Sequence, residues 1–258
     1  MNNVEEIPIK NAVETQKYNF TCDDVIDYEI PHPLPGSDTS FFRIGIVGKS
    51  GSGKTNLLRY LTEKGGKNRI YCKKFENVFY ISPSVGSMSS KPKLPEEHFY
   101  ESINSIPEIF KDIQTEEKAG RSLLIMDDVG HELKNGNQEF MKKLYFNNRH
   151  IGTPLMSECG KQISSGAVST ILLTQRLNSI PRNLRSAITH WILFDCRSTR
   201  SELQTIFEEL VHVDKNDFNT IISRVFSKPY GFLFIDTTKS RLFNGFSSEF
   251  LVSVDKFM

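Results

Sequence analysis

Residues 48–55 have the residue types and spacing of a loop that binds nucleotide phosphates. The segment reads GKSGSGKT and matches GxxxxGK[ST] in full. Its glycines allow backbone N–H groups to turn inward around a phosphate, and the following helix points its positive end at the same oxygens. Lys54 is placed to neutralise the β- and γ-phosphates, and the Thr55 hydroxyl to bind Mg²⁺. The segment predicts a site for a nucleoside triphosphate, with ATP and Mg²⁺ as the expected ligands. The residues expected to contact the nucleotide are Gly48, Lys49, Ser50, Gly51, Ser52, Gly53, Lys54, Thr55 and Asn56.

A second element is the acid pair Asp127 and Asp128, which follows the apolar run LLIM. A strand that is apolar at every position is buried on both faces, and ligands bind at the carboxyl ends of parallel strands. We therefore expect Asp127 to hold Mg²⁺. We expect Asp128 to orient or deprotonate the water that attacks the γ-phosphate. The alternative is that the two acids only cap the helix or turn that follows.

Gln175 ends another apolar segment, STILLT. From there its amide would lie near the γ-phosphate or the attacking water and would sense whether ATP is intact. An ordinary polar residue at a strand end is the alternative. Together with the acid pair, such a strand favours an ATPase that uses an added catalytic acid over a nucleotide kinase.

The elements that must position these residues alternate between apolar strands and helical segments. This alternation predicts an α/β fold with a mostly parallel central sheet flanked by helices. One helix is expected directly after the phosphate loop. Strands are expected at 41–47, 77–82, 122–127, 169–174, 190–194 and 231–236, and further helices at 105–113, 138–147, 201–211 and 215–226.

Length and composition indicate one large globular domain. The chain has 258 residues, 38% of them hydrophobic and 24% charged, and a net charge of +1. Because there is no global basic field, any nucleic acid must be held by a local patch or by a ring of subunits. The four cysteines, at 22, 72, 159 and 196, form no CxxC pair and are expected to be reduced thiols. No segment approaches the roughly 20 apolar residues of a membrane span, and the polar N-terminus does not have the pattern of a signal peptide, so we expect a soluble protein with no membrane partner.

The segments GKSGSGKTNLL, LLIMDDV, NNRH, ILLTQ and IPRNLRSAITHWILF together resemble the viral genome-packaging ATPases of the poxvirus type. These belong to the FtsK–HerA class of ring-forming DNA translocases, found in large DNA viruses, virophages and self-synthesising transposons. The resemblance spans about 41–236. It implies a RecA-like P-loop core of the ASCE type at 41–236, with extensions at 1–40 and 237–258.

The function implied by this resemblance is an ATP-driven motor that moves double-stranded DNA, without sequence preference, into a viral capsid. Its expected form is a ring of five or six subunits that acts with a capsid or portal component. The expected location is the virion or a viral factory in the host cytoplasm.

The resemblance also gives roles to Lys54, Thr55, Asp127, Asp128 and Gln175 that agree with those above, and it adds three arginines. Arg149 matches the arginine expected to reach into the ATP site of a neighbouring subunit. Arg182 and Arg185 match a basic pair at the subunit interface or on DNA. Each of the three is alternatively a solvated surface charge. The chain departs from the family pattern at 151–168, an insertion between Arg149 and the Gln175 strand.

Two other functions remain open at this stage. A P-loop nucleoside or nucleotide kinase would need an acceptor site and an arginine-rich lid, and the acid pair with a downstream glutamine disfavours it. A scaffold without hydrolysis is disfavoured by intact Lys54, Thr55, Asp127 and Asp128.

Overall fold

The structure is a computed structural model, and all structural statements refer to the ranges that it describes. These ranges are 4–9, 32–35, 41–63, 70–71, 74–88, 91–135, 138–160, 162–197 and 199–252. Cys22, Cys72 and most of the expected extension at 1–40 lie outside the described ranges. Cys159 and Cys196 are not joined in a disulfide.

Twelve strands and seven α-helices are present in these ranges, and the expected elements are all among them, with bounds that differ by at most two residues. The helices are α1 (Lys54–Thr62), α2 (Ile106–Asp112), α3 (Gly130–Asn135), α4 (Gln138–Phe146), α5 (Arg182–Arg185), α6 (Arg200–Glu209) and α7 (Lys215–Val225). The strands are β1 (Val4–Pro8), β2 (Arg43–Val47), β3 (Asn77–Ile81), β4 (Phe99–Tyr100), β5 (Ser122–Asp127), β6 (Leu155–Met156), β7 (Gln162–Ser164), β8 (Val168–Thr174), β9 (His190–Phe194), β10 (Phe232–Asp236), β11 (Arg241–Asn244) and β12 (Ser248–Val252).

Ten of these strands form one sheet, in the order β1-β12-β11-β10-β9-β2-β8-β5-β3-β4. The strands from β9 to β4 in this order are all parallel, which confirms the expected α/β sheet. β10 is antiparallel to β9, and β11, β12 and β1 continue the antiparallel part. Two helices, α6 and α7, separate β9 from β10. The chain therefore enters β10 at the same end of the sheet at which it left β9, with Phe232 opposite Phe194. Residues 237–252 and 4–8 thus extend the same sheet.

Hydrophobic clusters cover both faces of the sheet, as expected for strands that are apolar at successive positions. In β5, Leu123 and Ile125 belong to one cluster, whereas Leu124 and Met126 belong to the other. The first cluster contains the buried face of α1. The second contains the buried faces of α2, α4, α6 and α7. This two-sided packing holds the carboxyl ends of the parallel strands in register.

The insertion at 151–168 forms a separate two-stranded unit in which β6 pairs with β7. It is attached beside the amino ends of two central strands. Gly120 N donates to Thr153 O (2.8 Å), and Ser122 N, at the start of β5, donates to Ala167 O (3.2 Å). The insertion therefore lies at the amino ends of the parallel strands, whereas residues 48–55 lie at their carboxyl ends. Among the described residues, no helix combines the length and apolarity needed to cross a bilayer.

Candidate ATP site

Three neighbouring parallel strands bring the predicted chemical residues together at their carboxyl ends. β8 lies between β2, which leads into the phosphate loop, and β5, which ends at Asp127. Backbone hydrogen bonds tie the three ends together, because Gly48 N donates to Thr174 O (3.2 Å) and Asp128 N donates to Leu173 O (3.1 Å). The strand that carries Gln175 is therefore inserted between the loop and the acid pair.

The phosphate loop forms one wall of a cavity of about 390 Å³. Gly51 (φ 75°) and Gly53 (φ 100°) adopt left-handed conformations that glycine accepts without a steric cost. α1 begins at Lys54, so its first backbone N–H groups point toward this cavity. Seven of the nine predicted residues line the cavity, together with both acids and Gln175; they are Ser50, Gly51, Ser52, Gly53, Lys54, Thr55 and Asn56.

The remaining two predicted residues have other positions. Gly48 lies beneath the loop, where an added Cβ would be 2.5 Å from Ser52 Oγ and 2.8 Å from Phe194 Cβ. Its role is therefore close packing of the loop on the sheet. Lys49 lines a second cavity on the other side of the loop.

Lys54 holds its ammonium group against the loop, where Nζ donates to Gly48 O and Lys49 O. Burial lowers the pKa of this ammonium group, and the negative charges of Asp127 and Asp128 act in the opposite direction. A partly buried ammonium group attracts phosphate oxygens, whereas the two nearby carboxylates repel them until a cation neutralises the carboxylates.

Asp127 is paired with a residue that the sequence motifs did not single out. Tyr80 Oη, from the adjacent strand β3, donates to Asp127 Oδ2 at 2.8 Å. Burial raises the pKa of Asp127, and this hydrogen bond opposes the increase because it stabilises the carboxylate. Burial also raises the pKa of Tyr80, so its hydroxyl stays protonated and remains a donor. A tyrosine within the apolar run of β3, after Asn77, was the available signal.

Asp128 and Gln175 lie next to each other in the wall of the cavity. Gln175 Nε2 lies 3.3 Å and 3.4 Å from the two carboxylate oxygens of Asp128, longer than a strong N–H···O bond. Asp128 has a left-handed backbone (φ 56°), a conformation that Asp tolerates better than most residues and that recurs at functional sites. The pair is therefore adjacent but only weakly bonded, and both side chains have capacity left for a third group.

The donor set around Thr55 and Asp127 fits Mg²⁺ bound together with a nucleotide. Mg²⁺ in such sites takes one or two protein oxygens, and the phosphates and water complete its octahedron. Thr55 and Asp127 both line the cavity. The described residues contain no group of three acidic, histidine or cysteine side chains that would hold a metal ion without a nucleotide.

A buried glutamate on α6 fixes the backbone just beyond Gln175. Glu202 is 3% exposed, and its carboxylate accepts hydrogen bonds from Leu177 N (2.8 Å) and Asn178 N (3.2 Å). Thr205 Oγ1, one turn later, donates to Asn178 Oδ1 (3.0 Å). The sequence analysis missed this residue, although an acid beside the apolar stripe of an amphipathic helix was a usable signal. Its contacts hold the loop from which Gln175 projects.

Arg149 lies far from the ATP site of its own chain. Its guanidinium carbon lies 5.6 Å from the ring centroid of Phe41, beyond the amino end of β2. Strands rise about 3.3 Å per residue, so Phe41 and the phosphate loop are about 20 Å apart. The exposed Arg149 side chain can therefore reach an ATP site only in another subunit.

The basic pair on α5 divides into one buried and one exposed residue. Arg185 makes two 2.8 Å hydrogen bonds with the Glu209 carboxylate and a third to Ile180 O (2.6 Å), and its side chain is 10% exposed. Arg182 is 84% exposed and lies 3.6 Å from the same carboxylate. Arg185 thus ties α5 to α6, whereas Arg182 presents its charge to solvent.

Fold and site together define a class, the P-loop NTPases that carry an additional strand between the phosphate-loop strand and the acid strand. Residues 38–229 match the family model described as poxvirus A32 protein, and the chain belongs to this family. This membership confirms the resemblance to viral genome-packaging ATPases that the motifs indicated. No curated protein sequence matches the chain.

Solved structures of one viral NTPase share the fold. The genome-packaging NTPase B204 from Sulfolobus turreted icosahedral virus 2, in complex with ATP-gammaS, is 16% identical with a TM-score of 0.57, over 80% of this chain and 97% of that chain. The same protein in complex with AMPPCP is 16% identical with a TM-score of 0.54, over 79% and 96%. The DNA-packaging ATPase B204 from Sulfolobus turreted icosahedral virus gives 16% and 0.54, over 78% and 95%.

Proposed function

We propose that this protein hydrolyses ATP to move double-stranded DNA, without sequence preference, into a viral capsid. The observation that carries the proposal is the convergence of Lys54, Asp128 and Gln175 on one cavity at the ends of three adjacent strands. A nucleotide kinase would place a second substrate where the acid pair and the glutamine stand here. Family membership and the shared fold support the packaging role.

The reaction proposed at this site is attack of water on the γ-phosphorus. The bond from the water oxygen to phosphorus forms while the bond to the β,γ-bridging oxygen breaks, which releases ADP and phosphate. Asp128 accepts a proton from the water, and Gln175 holds the water through its amide. Lys54 and the N–H groups of the loop stabilise the charge on the phosphate oxygens. Mg²⁺, when bound at Thr55 and Asp127, neutralises charge on the β- and γ-phosphates.

A ring of five or six subunits is part of the proposal, because Arg149 has no access to the nucleotide in its own chain. In a head-to-tail ring, Arg149 of one subunit approaches the γ-phosphate bound by the next. A planar guanidinium that is always charged suits this role, and such arginines contribute about 10³–10⁵ in rate. Arg182 is the second candidate, since its charge is exposed and close to the loop after Gln175.

DNA and capsid contacts complete the proposal. Contacts that accept any sequence must go to phosphates, so we expect binding to weaken with salt and to be the same for unrelated duplexes. Arg182 is the candidate contact from the predicted basic pair, because Arg185 is occupied by Glu209. A capsid or portal component is the proposed docking partner, and the virion or a viral factory in the host cytoplasm is the proposed location.

The direct test is the rate of phosphate release from ATP with and without duplex DNA. We expect duplex to stimulate hydrolysis and random-sequence duplexes to act equally. The Lys54→Ala variant is the control for contaminating ATPases. A rate that depends on an added phosphate acceptor would indicate a kinase, and binding of ATP without any turnover would indicate a scaffold.

The ring is tested by mixing variants. Arg149→Ala and Lys54→Ala proteins are each expected to be inactive, and a mixture should regain activity because some interfaces pair an intact loop with an intact arginine. Recovery only with Arg182→Ala would move the role to Arg182. No recovery with either, in assemblies that native mass spectrometry shows to be mixed, would contradict an arginine that acts between subunits.

A further inference from the structure

We infer that a second cavity, on the other side of the phosphate loop, binds the base and ribose of the nucleotide, and that Tyr230 is the surface on which the base stacks. The inference rests on the proposed ATP site and adds the nucleoside-binding half of it. The cavity has a volume of about 330 Å³ and shares Gly51 and Ser52 with the phosphate cavity. The two cavities are therefore adjacent, with these two loop residues between them.

The order of the strands fixes the direction in which the nucleotide lies. Asp128 and Gln175 follow β5 and β8, on one side of β2. The γ-phosphate must point to that side, because the attacking water is held there. The nucleoside must then extend toward the other neighbour of β2, which is β9. The second cavity lies at the end of β9, where Phe194 and Asp195 line it.

The walls of this cavity offer flat surfaces of the kind that bases stack on. Phe194 and Phe226 are buried in its floor. The Arg197 guanidinium is held in place, because it donates two hydrogen bonds to the Asp195 carboxylate (2.8 and 3.0 Å) and a third to Phe226 O (2.8 Å). The carbon of this group lies over the Phe226 ring, 5.7 Å from the ring centroid. Fixed aromatic and guanidinium planes bind bases by stacking.

Tyr230 stands out within this wall in two ways. It is 72% exposed, which is unusual for a large aromatic side chain. It also has a left-handed backbone (φ 61°), a conformation that residues other than glycine seldom adopt. Tyr230 Cδ1 lies 3.4 Å from the point where a Cβ on Gly53 would be. A strained, exposed aromatic ring is thus held directly beside the phosphate loop, as expected where a ligand covers the ring.

The position of the second cavity favours a nucleoside over an unrelated ligand. A nucleotide whose phosphates are bound in the loop carries its base and ribose into the adjacent cavity. The polar groups of Asp195 and Arg197 bond to each other, while Lys49 and Lys228 also line the cavity and can donate hydrogen bonds. We expect stacking on Tyr230 to contribute to the affinity for any nucleoside triphosphate, because every base has a flat aromatic face.

The test compares two ligands on the full-length chain and on two variants at one position. Isothermal titration measures the binding of ATPγS, which has a base, and of inorganic tripolyphosphate, which has none. Tyr230→Gly removes the ring and suits the left-handed backbone, so the fold is expected to persist. Tyr230→Phe retains the ring and serves as the matched control.

We expect Tyr230→Gly to weaken ATPγS binding about tenfold, since stacking on an aromatic ring contributes about 1–3 kcal/mol. Tripolyphosphate binding should change less than about twofold, and Tyr230→Phe should bind both ligands as the wild type does. Equal weakening of both ligands, or of neither, by Tyr230→Gly would overturn the nucleoside site. If the wild type binds neither ligand, the proposed ATP site itself is wrong, which is a separate outcome.

Discussion

The two ends of the central parallel strands use their polar groups differently. At the amino ends, several polar groups bond to one another: Ser169 Oγ accepts from Phe42 N (3.1 Å), and Asn148 bridges Arg43 Nη1 (3.0 Å) and Val168 O (2.9 Å). The hydroxyls of Ser122 and Thr170 are buried there without a hydrogen-bond partner and are closed to a ligand. At the carboxyl ends, Asp128 and Gln175 approach only to 3.3–3.4 Å. Buried polar groups that are fully bonded stabilise a fold, whereas groups with spare capacity can bind a ligand. The two side chains with bonding capacity left for a ligand therefore lie at the carboxyl ends, where they line the cavity.

Charged groups are buried at both ends of these strands, but their partners differ. Burial lowers the pKa of Arg43 at the amino end of β2, where its guanidinium already bonds to Ala187 O and Asn148 Oδ1. Burial lowers the pKa of Lys54 and raises that of Asp127, so each group is less stable in its charged form than it would be in water. A bound phosphate and a bound cation would reverse these costs. The following predictions test the difference between the two ends, starting with the largest expected effect on activity.

Replacement of Lys54 by alanine should reduce ATP hydrolysis by at least about 10³-fold, because no other described side chain at the loop brings a positive charge into the cavity. The free energy of unfolding should fall by no more than about 1–2 kcal/mol, since only the hydrogen bonds from Nζ to Gly48 O and Lys49 O are lost. Phosphate release and urea denaturation measure the two effects. A large loss of stability would mean that the lysine supports the loop and not the reaction.

Replacement of Asp128 by asparagine should reduce kcat by about 10²–10⁴, while ATPγS still binds, because the amide cannot accept the proton of the water. Single-turnover phosphate release, with ATPγS titration as the binding control, measures both. Turnover equal to that of the wild type would remove Asp128 from the mechanism.

Replacement of Glu202 by glutamine should lower kcat about tenfold and leave KM for ATP unchanged. Its amide NH₂ would face one of the two backbone N–H groups, so the loop after Gln175 would lose a bond. Glu208→Gln, at an exposed position on the same helix, is the matched control. In a Gln175→Ala background, Glu202→Gln should have almost no further effect on kcat. Additive losses would show that Glu202 does not act through Gln175.

Replacement of Tyr80 by phenylalanine should shift the pH dependence of kcat/KM. The lost hydrogen bond lowered the pKa of Asp127, so without it the pKa rises further above its usual value. Because ionised Asp127 is required, the loss of activity on acidification should begin at a higher pH than in the wild type. Tyr71→Phe, which loses a hydrogen bond to Pro35 O outside the site, should leave the profile unmoved. An unchanged profile in Tyr80→Phe would contradict the proposed pairing.

Replacement of Ser169 by alanine, at the amino end of the strand that carries Gln175, should have the smallest effect on activity. The buried N–H of Phe42 loses its acceptor, so the free energy of unfolding should fall by about 1–3 kcal/mol. Steady-state kcat below the melting range should equal that of the wild type, whereas Gln175→Ala should lower kcat without this loss of stability. A change in kcat in Ser169→Ala would show that the two ends of β8 are not independent.

The sequence alone identified the phosphate loop, the acid pair and Gln175 as candidate site residues. It also predicted six strands that the structure contains. These features depend on residues close together in the chain: a loop of eight residues, or an apolar run with a polar residue at its end. Their local spacing is sufficient because any parallel sheet brings the carboxyl ends of its strands to one edge.

Only the tertiary structure decided which other residues join the site. Tyr80 and Asp127 are 47 positions apart, and Glu202 and Leu177 are 25 apart, so the order of strands and the packing of α6 determine these contacts. The same packing placed Arg149 at the amino ends of the strands, away from the ATP site, and buried Arg185 against Glu209. It also reversed β10, because two helices precede it, and brought Tyr230 beside Gly53. Contacts over such separations result from packing of the whole chain, which local patterns of residues do not encode.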